Sequence, residues 1–136
     1  MSADFHLILE KAMQLFGLKK LVISQSSREK LLATFPPLYN AKSEHITLEF
    51  GALNMSDIDL SGVEIVGYQK TSYLEVLVVS INGSITRSSD KQILHCTHSL
   101  KDGIAPVCSN DVLNELLYQP VNPIKIEVLS ETQYFN

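Results

Sequence analysis

No stretch of this 136-residue chain is apolar for 18 residues in a row, which leaves no candidate for a membrane-spanning helix. The opening residues, MSADFHLILEK, lack the basic start and unbroken apolar core of a secretory leader, so the expected compartment is the cytoplasm. Cysteine is scarce: Cys96 and Cys108 are the two in the sequence. In a reducing compartment they are expected as thiols, with nothing demanding a disulfide between them. Positive charge is in deficit, with 11 Lys and Arg against 15 Asp and Glu and a net charge of −4. That excludes a broad basic field for a long nucleic acid, but not a small nucleotide or a short RNA end gripped at one spot. Solenoid repeats and low-complexity segments are missing too. What remains is 45% hydrophobic and 19% charged, enough for one domain, residues 1–136, with its own core.

Apolar residues recur at helical spacing from Ala3 to Phe16 (Phe5, Ile8, Leu9, Ala12, Leu15, Phe16), and Gly17 is a natural stop. Residues 1–17 therefore read as an added N-terminal helix. Leu18 to Ser24 reads as a strand. Ser26-Ser27-Arg28-Glu29 has the capping-box form and predicts a short helix carrying Leu31, Leu32 and Phe35, ended by Pro36-Pro37. From Glu44 the period becomes two, with His45, Thr47 and Glu49 on one face and Ile46, Leu48 and Phe50 on the other. Val63 to Gln69 and Tyr73 to Ile81 predict paired strands, and Asn82-Gly83 predicts a turn. Ser84 to Lys91 is a polar loop, and Leu94 to Leu100 a strand. Ser109 is expected to cap a helix running to about Tyr118, and Ile124 to Leu129 to form a last strand. The class is α+β, mostly antiparallel, with flanking helices.

His45-Ile46-Thr47 and His95-Cys96-Thr97 share the form His-x-Thr. With four histidines and six threonines in the chain, chance placement gives about 0.2 such pairs. On a strand, residues i and i+2 point the same way, so each motif aims one imidazole and one hydroxyl at one place. If the two strands lie side by side, two imidazoles and two hydroxyls converge. That set suits a phosphodiester. A neutral imidazole takes a proton from the attacking oxygen, a protonated one gives a proton to the leaving oxygen, and hydroxyls hold the non-bridging oxygens. A bell-shaped rate profile between about pH 5 and 8 should follow. The sequence leaves open which histidine is the acid.

Here the chain resembles a known family. His45-Ile46-Thr47-Leu48-Glu49-Phe50-Gly51 looks like the first signature of the two-histidine phosphoesterases, and His95 with Thr97 like the second. Leu31-Leu32 with Phe35-Pro36-Pro37 upstream, and Gly103-x-x-Pro106-Val107-x-Ser109-Asn110 downstream, are similar to the same family. The resemblance covers roughly residues 18 to 130. It implies a compact bilobal fold with the motifs facing each other across a central cleft. It also implies catalytic roles for His45, Thr47, His95 and Thr97, and metal-independent hydrolysis of a nucleoside or RNA-end 2′,3′-cyclic phosphate without a cofactor. Two features depart from the family pattern: the motifs are 50 residues apart, and His98 stands where an apolar residue is usual.

Other residues are weighed beside the motifs. Arg87 and Lys91 precede the second motif and could bind a phosphate, although a solvated loop also explains them. His95, Cys96, His98 and Cys108 invite a zinc reading, but strand alternation lets only Cys96, His98 and Cys108 share a side, and no metal is expected. Cys96 is expected to be a core thiol. By parity His98 lies with Leu94, Cys96 and Leu100, away from the cleft. Phe50, Tyr68 and Tyr73 could stack on a base, but parity puts Phe50 in the core. Lys19-Lys20 reads as a solvated pair and His6 as a surface residue. Two rivals to an enzyme stay open: an inactive nucleotide-binding module of the same fold, and an interaction protein working through its N-terminal helix.

Overall fold

Leu74 to Ser80 (LEVLVVS) is buried at every position, as expected of a strand covered on both faces. Around it the computed structural model, which describes residues 16–52, 59–88, 90–115 and 117–134, forms an α+β fold of antiparallel sheets. The elements are β1 (Phe16–Ile23), α1 (Gln25–Thr34), β2 (Asn40–Ala41), β3 (His45–Ala52), β4 (Val63–Lys70), β5 (Leu74–Ile81), β6 (His95–Leu100), α2 (Cys108–Glu115), β7 (Gln119–Lys125) and β8 (Val128–Tyr134). The strands form two sheets, one in the order β3-β1-β8 and one in the order β2-β6-β5-β4-β7. No helix among the described residues is long and apolar enough to cross a membrane.

The five-stranded sheet is covered twice. Leu77, Val79, Cys96, Val63 and Ile65 share one buried cluster with Leu21 and Ile23 of β1, Leu31 of α1, and Ile46 and Leu48 of β3. Leu74, Val76, Val78 and Leu100 form a second cluster with Val112 and Leu113 of α2. The paired strands expected around Lys70-Thr71-Ser72 are β4 and β5. The Asn82-Gly83 turn is present, both residues in the left-handed region (φ 50° and 88°) that such a turn requires. Gly67 is needed for a different reason: an added Cβ would collide with the Tyr118 ring packed upon it.

Several expectations are corrected. Phe16 begins β1 instead of ending a helix; the rest of the predicted N-terminal helix, with His6, lies outside the described residues. The cap of α1 is Ser24, whose hydroxyl accepts from the Ser27 amide at 3.2 Å, two residues before the predicted Ser26. Ser27 is thereby freed to accept from the Glu127 amide at 2.8 Å. Ser109 is the second residue of α2, not its cap. The predicted last strand is two strands in different sheets, broken at Ile126-Glu127. α2 is Cys108–Glu115 and does not reach Tyr118, and Pro120 lies in β7, an edge strand, where a missing amide donor is tolerated. Lys19 is buried, because β1 alternation places it on the Leu21 side. Three bulges shift parity, one of them at Val66 of β4. Leu48 is the extra residue of β3 against β1, so Glu49 registers with Lys19, off the Thr47 face. His98 is the extra residue of β6 against β5, so Leu100 changes face relative to Cys96.

Candidate functional site

The two His-x-Thr strands belong to different sheets, so they are not paired neighbours. The route of the chain nevertheless brings them together. β2 is hydrogen-bonded to β6, with Asn40 opposite Leu100 and Ala41 opposite Ser99. The amides of Lys42 and Ser43 then donate to the carbonyls of His98 and Thr97 at 2.7 and 2.8 Å. At Ser43 the backbone turns through the left-handed region (φ 52°), and β3 begins two residues later at His45. A serine in that region is unfavourable and needs local support. The support comes from His98, whose Nδ1 lies 2.6 Å from the Ser43 hydroxyl. The Arg28 Nε–H donates to the Lys42 carbonyl at 2.7 Å and secures the same corner.

The sheets enclose a cavity of about 540 Å³. His45, Thr47, His95 and Thr97 all line it, joined by Leu18, Lys42, Glu44, Arg87, Asp90, Leu100, Pro106, Val107 and Asn110. Of the two basic loop residues, Arg87 is on this wall, whereas Lys91 is exposed and does not line it. Arg87 is held by Asp90 through two hydrogen bonds, Nε to Oδ1 at 3.0 Å and Nη2 to Oδ2 at 2.7 Å. The loop that carries it is closed by the Arg87 amide on the Gln92 carbonyl at 2.8 Å. Tyr68 and Tyr73 are not on the wall; Tyr68 donates instead to the buried Glu75 carboxylate. The side chain of Phe50 lies outside the described residues.

His95 is oriented by its own strand. Its Nδ1 lies 2.8 Å from the Ile93 carbonyl. A carbonyl only accepts, so Nδ1 carries the proton and Nε2 is the nitrogen left for chemistry. Burial, foremost, holds His95 below the ordinary imidazole pKa; the Ile93 bond opposes this, and the positive charges of Arg87 and His45 add to it. His45 is lowered as well, by burial first and then by Lys20, against the opposing pull of Glu44 and Glu131. His45 is near enough to His95 to act on it electrostatically. Thr97 Oγ1 lies 2.9 Å from the buried Ser109 hydroxyl. With Ser109 as donor, the Thr97 proton is left for a ligand.

The remaining candidates for chemistry are committed elsewhere. His98 is fully buried, and its Nε2 donates to the Phe35 carbonyl at 2.6 Å while Nδ1 accepts from Ser43. Neither nitrogen is left for a metal. Both cysteines are free thiols, and burial pushes Cys96 up to about 12. Among the described residues no group of three or more His, Cys, Asp or Glu has the arrangement to hold a metal ion. Residue-type reasoning missed Lys42, Asp90 and Asn110. Asn110 had a signal in the Pro106 to Asn110 segment, but Lys42 and Asp90 had none.

Comparison with models of protein families, with curated proteins and with solved structures finds no match to this chain.

Proposed function

We propose that this protein is a two-histidine phosphodiesterase that hydrolyses a small phosphodiester, such as a nucleoside or RNA-end 2′,3′-cyclic phosphate, without a metal ion. In this reading the cavity between the sheets is the central cleft of a bilobal two-histidine fold. The observation that carries it is the convergence of both His-x-Thr pairs on one cavity, with Arg87 beside them. Lining charges balance, Lys42 and Arg87 against Glu44 and Asp90. With one imidazole protonated for its role as acid, the cavity carries a single net positive charge, which suits a monoanionic diester more than a dianionic monoester.

In this reading the roles follow from the surroundings. His95 has its Nε2 lone pair exposed by the Ile93 bond and cations nearby, so it serves as the base. His45 is also lowered, by burial and then by Lys20, but unlike His95 it has carboxylates, Glu44 and Glu131, opposing that shift, so it serves as the acid. His95 takes a proton from water as the oxygen attacks phosphorus; the ester P–O bond breaks, and His45 gives its proton to the departing alkoxide. Thr47, Thr97 and Arg87 stabilise the non-bridging oxygens as charge builds there. Exchange with water resets both rings.

The test is hydrolysis of the four nucleoside 2′,3′-cyclic phosphates in EDTA by wild type, His45→Ala and His95→Ala. Turnover that survives the chelator and is lost in both variants supports the reading, and the product isomer shows which bond breaks. Binding without turnover in wild type would instead favour a nucleotide-binding module.

A further inference from the structure

Among the described residues the buried side-chain polar atoms outside the cavity all have partners. The buried Glu75 carboxylate accepts from the Leu38 amide at 2.7 Å, the Ser99 hydroxyl at 2.5 Å and the Tyr68 hydroxyl. His98 and Ser43 are likewise satisfied. Among the described residues one buried side-chain polar atom has no partner, Oδ1 of Asn110. A stranded acceptor is costly, and a native chain that keeps one usually has a use for it. Asn110 lines the cavity, next to the aliphatic wall formed by Leu100, Pro106 and Val107. The start of α2 does not compete for the same role. The amides of Cys108, Ser109 and Asn110 are taken by the carbonyls of Ala105, Pro106 and Val107 at 3.0, 3.1 and 3.1 Å.

The chemistry of the ligand decides what this atom is for. Phosphate oxygens are acceptors, and the histidines, threonines and Arg87 already provide donors for them. An amide oxygen cannot bind them. It requires a donor, and in a diester anion the donor must come from the organic part. We infer that Asn110 is a specificity-determining residue that accepts a hydrogen bond from a hydroxyl or N–H of the substrate's alcohol portion, which lies along Leu100, Pro106 and Val107. Among the described residues no side-chain hydrogen bond fixes the Asn110 side-chain amide, and a rotation brings its buried oxygen to the ligand. This inference rests on the phosphodiester reading above.

The experiment compares two substrates on wild type and Asn110→Ala. Nucleoside 2′,3′-cyclic phosphates carry donors on sugar and base; bis(p-nitrophenyl) phosphate carries none. The expected result is a loss of roughly tenfold in kcat/KM on the nucleotides, the scale of one hydrogen bond, with the donor-free diester unaffected. Thermal unfolding serves as the fold control: Asn110→Ala should melt no lower than wild type, because it removes a stranded polar atom and adds a better helix former. An equal loss on both substrates would overturn the inference, since Asn110 would then serve the phosphate or the packing of α2. No loss on either would overturn it as well, and with histidine-dependent turnover intact the phosphodiester reading would survive. If wild type turns over neither substrate, calorimetric titration with the same two compounds must show the same split in Kd. Wild type that neither cleaves nor binds either compound would overturn both.

Discussion

His95 and His98 sit on the same strand, three positions apart, and the fold treats them in opposite ways. His95 spends one nitrogen on the Ile93 carbonyl and keeps the other for the cavity. His98 spends both, on Ser43 and Phe35, and is sealed in the core. The difference shows that availability for chemistry is set by unmet hydrogen-bond positions, not by residue type. The two are also connected: His98 braces the left-handed Ser43 corner from which β3 departs, and β3 carries the other cavity histidine.

The comparison breaks most sharply under substitution. His95→Ala should lower turnover of a cyclic phosphate by about 10²–10⁴-fold and leave the urea midpoint close to wild type. Arg87→Met removes a charged donor from the same wall and should cost about 10²-fold in kcat, measured on the same substrate. His98→Ala should behave in reverse. It leaves the part-buried Phe35 carbonyl without its donor and the buried Ser43 hydroxyl with only the Cys96 Sγ at 3.7 Å, and it opens a hole, which together cost about 3 kcal/mol of stability. That is read as a lower urea midpoint with an unchanged slope, and turnover should fall less than in His95→Ala. If His98→Ala were as inactive as His95→Ala while remaining as stable as wild type, the division between the two rings would be wrong.

The smallest effect is in the pH dependence. Both cavity histidines titrate below the ordinary 6.5 in the free protein. The base must be neutral, so its limb rises with pH through a pKa under 6.5; the acid must be charged, so its limb falls through another. The kcat/KM profile should therefore peak on the acid side of 6.5 instead of extending evenly to pH 8. Stability has the matching sign. The unfolded chain takes up these protons first, so stability is lost as pH falls below 6.5 towards the folded-state pKa values. His95→Gln should lose less on the same descent, measured as Tm against pH.

Much of this was legible in the sequence because it depends on local periodicity. The alternation in β3, the β4–β5 pair and the Asn82-Gly83 turn follow from two-residue period and backbone sterics, and the four motif residues follow from the same alternation. Where non-local pairing decides, the reading failed. Nothing local reveals that β2 docks on β6 and so delivers β3 to the cavity. Parity was right at His45, Thr47, His95 and Thr97, but it broke at the bulges, which is why Leu100 sits on the cavity wall. The oddity of His98 was visible as a polar ring in an apolar position. Its partners, 55 and 63 residues away in the chain, were not.

The central claim is that His45 and His95 act as one acid–base unit, and a double-mutant comparison tests it most directly. Turnover of a nucleoside 2′,3′-cyclic phosphate would be measured for wild type, His45→Ala, His95→Ala and the double variant. Groups that work as a unit are not additive, so each single variant should lose about as much as the double. Losses that multiply, or a single variant that keeps wild-type turnover, would contradict the account.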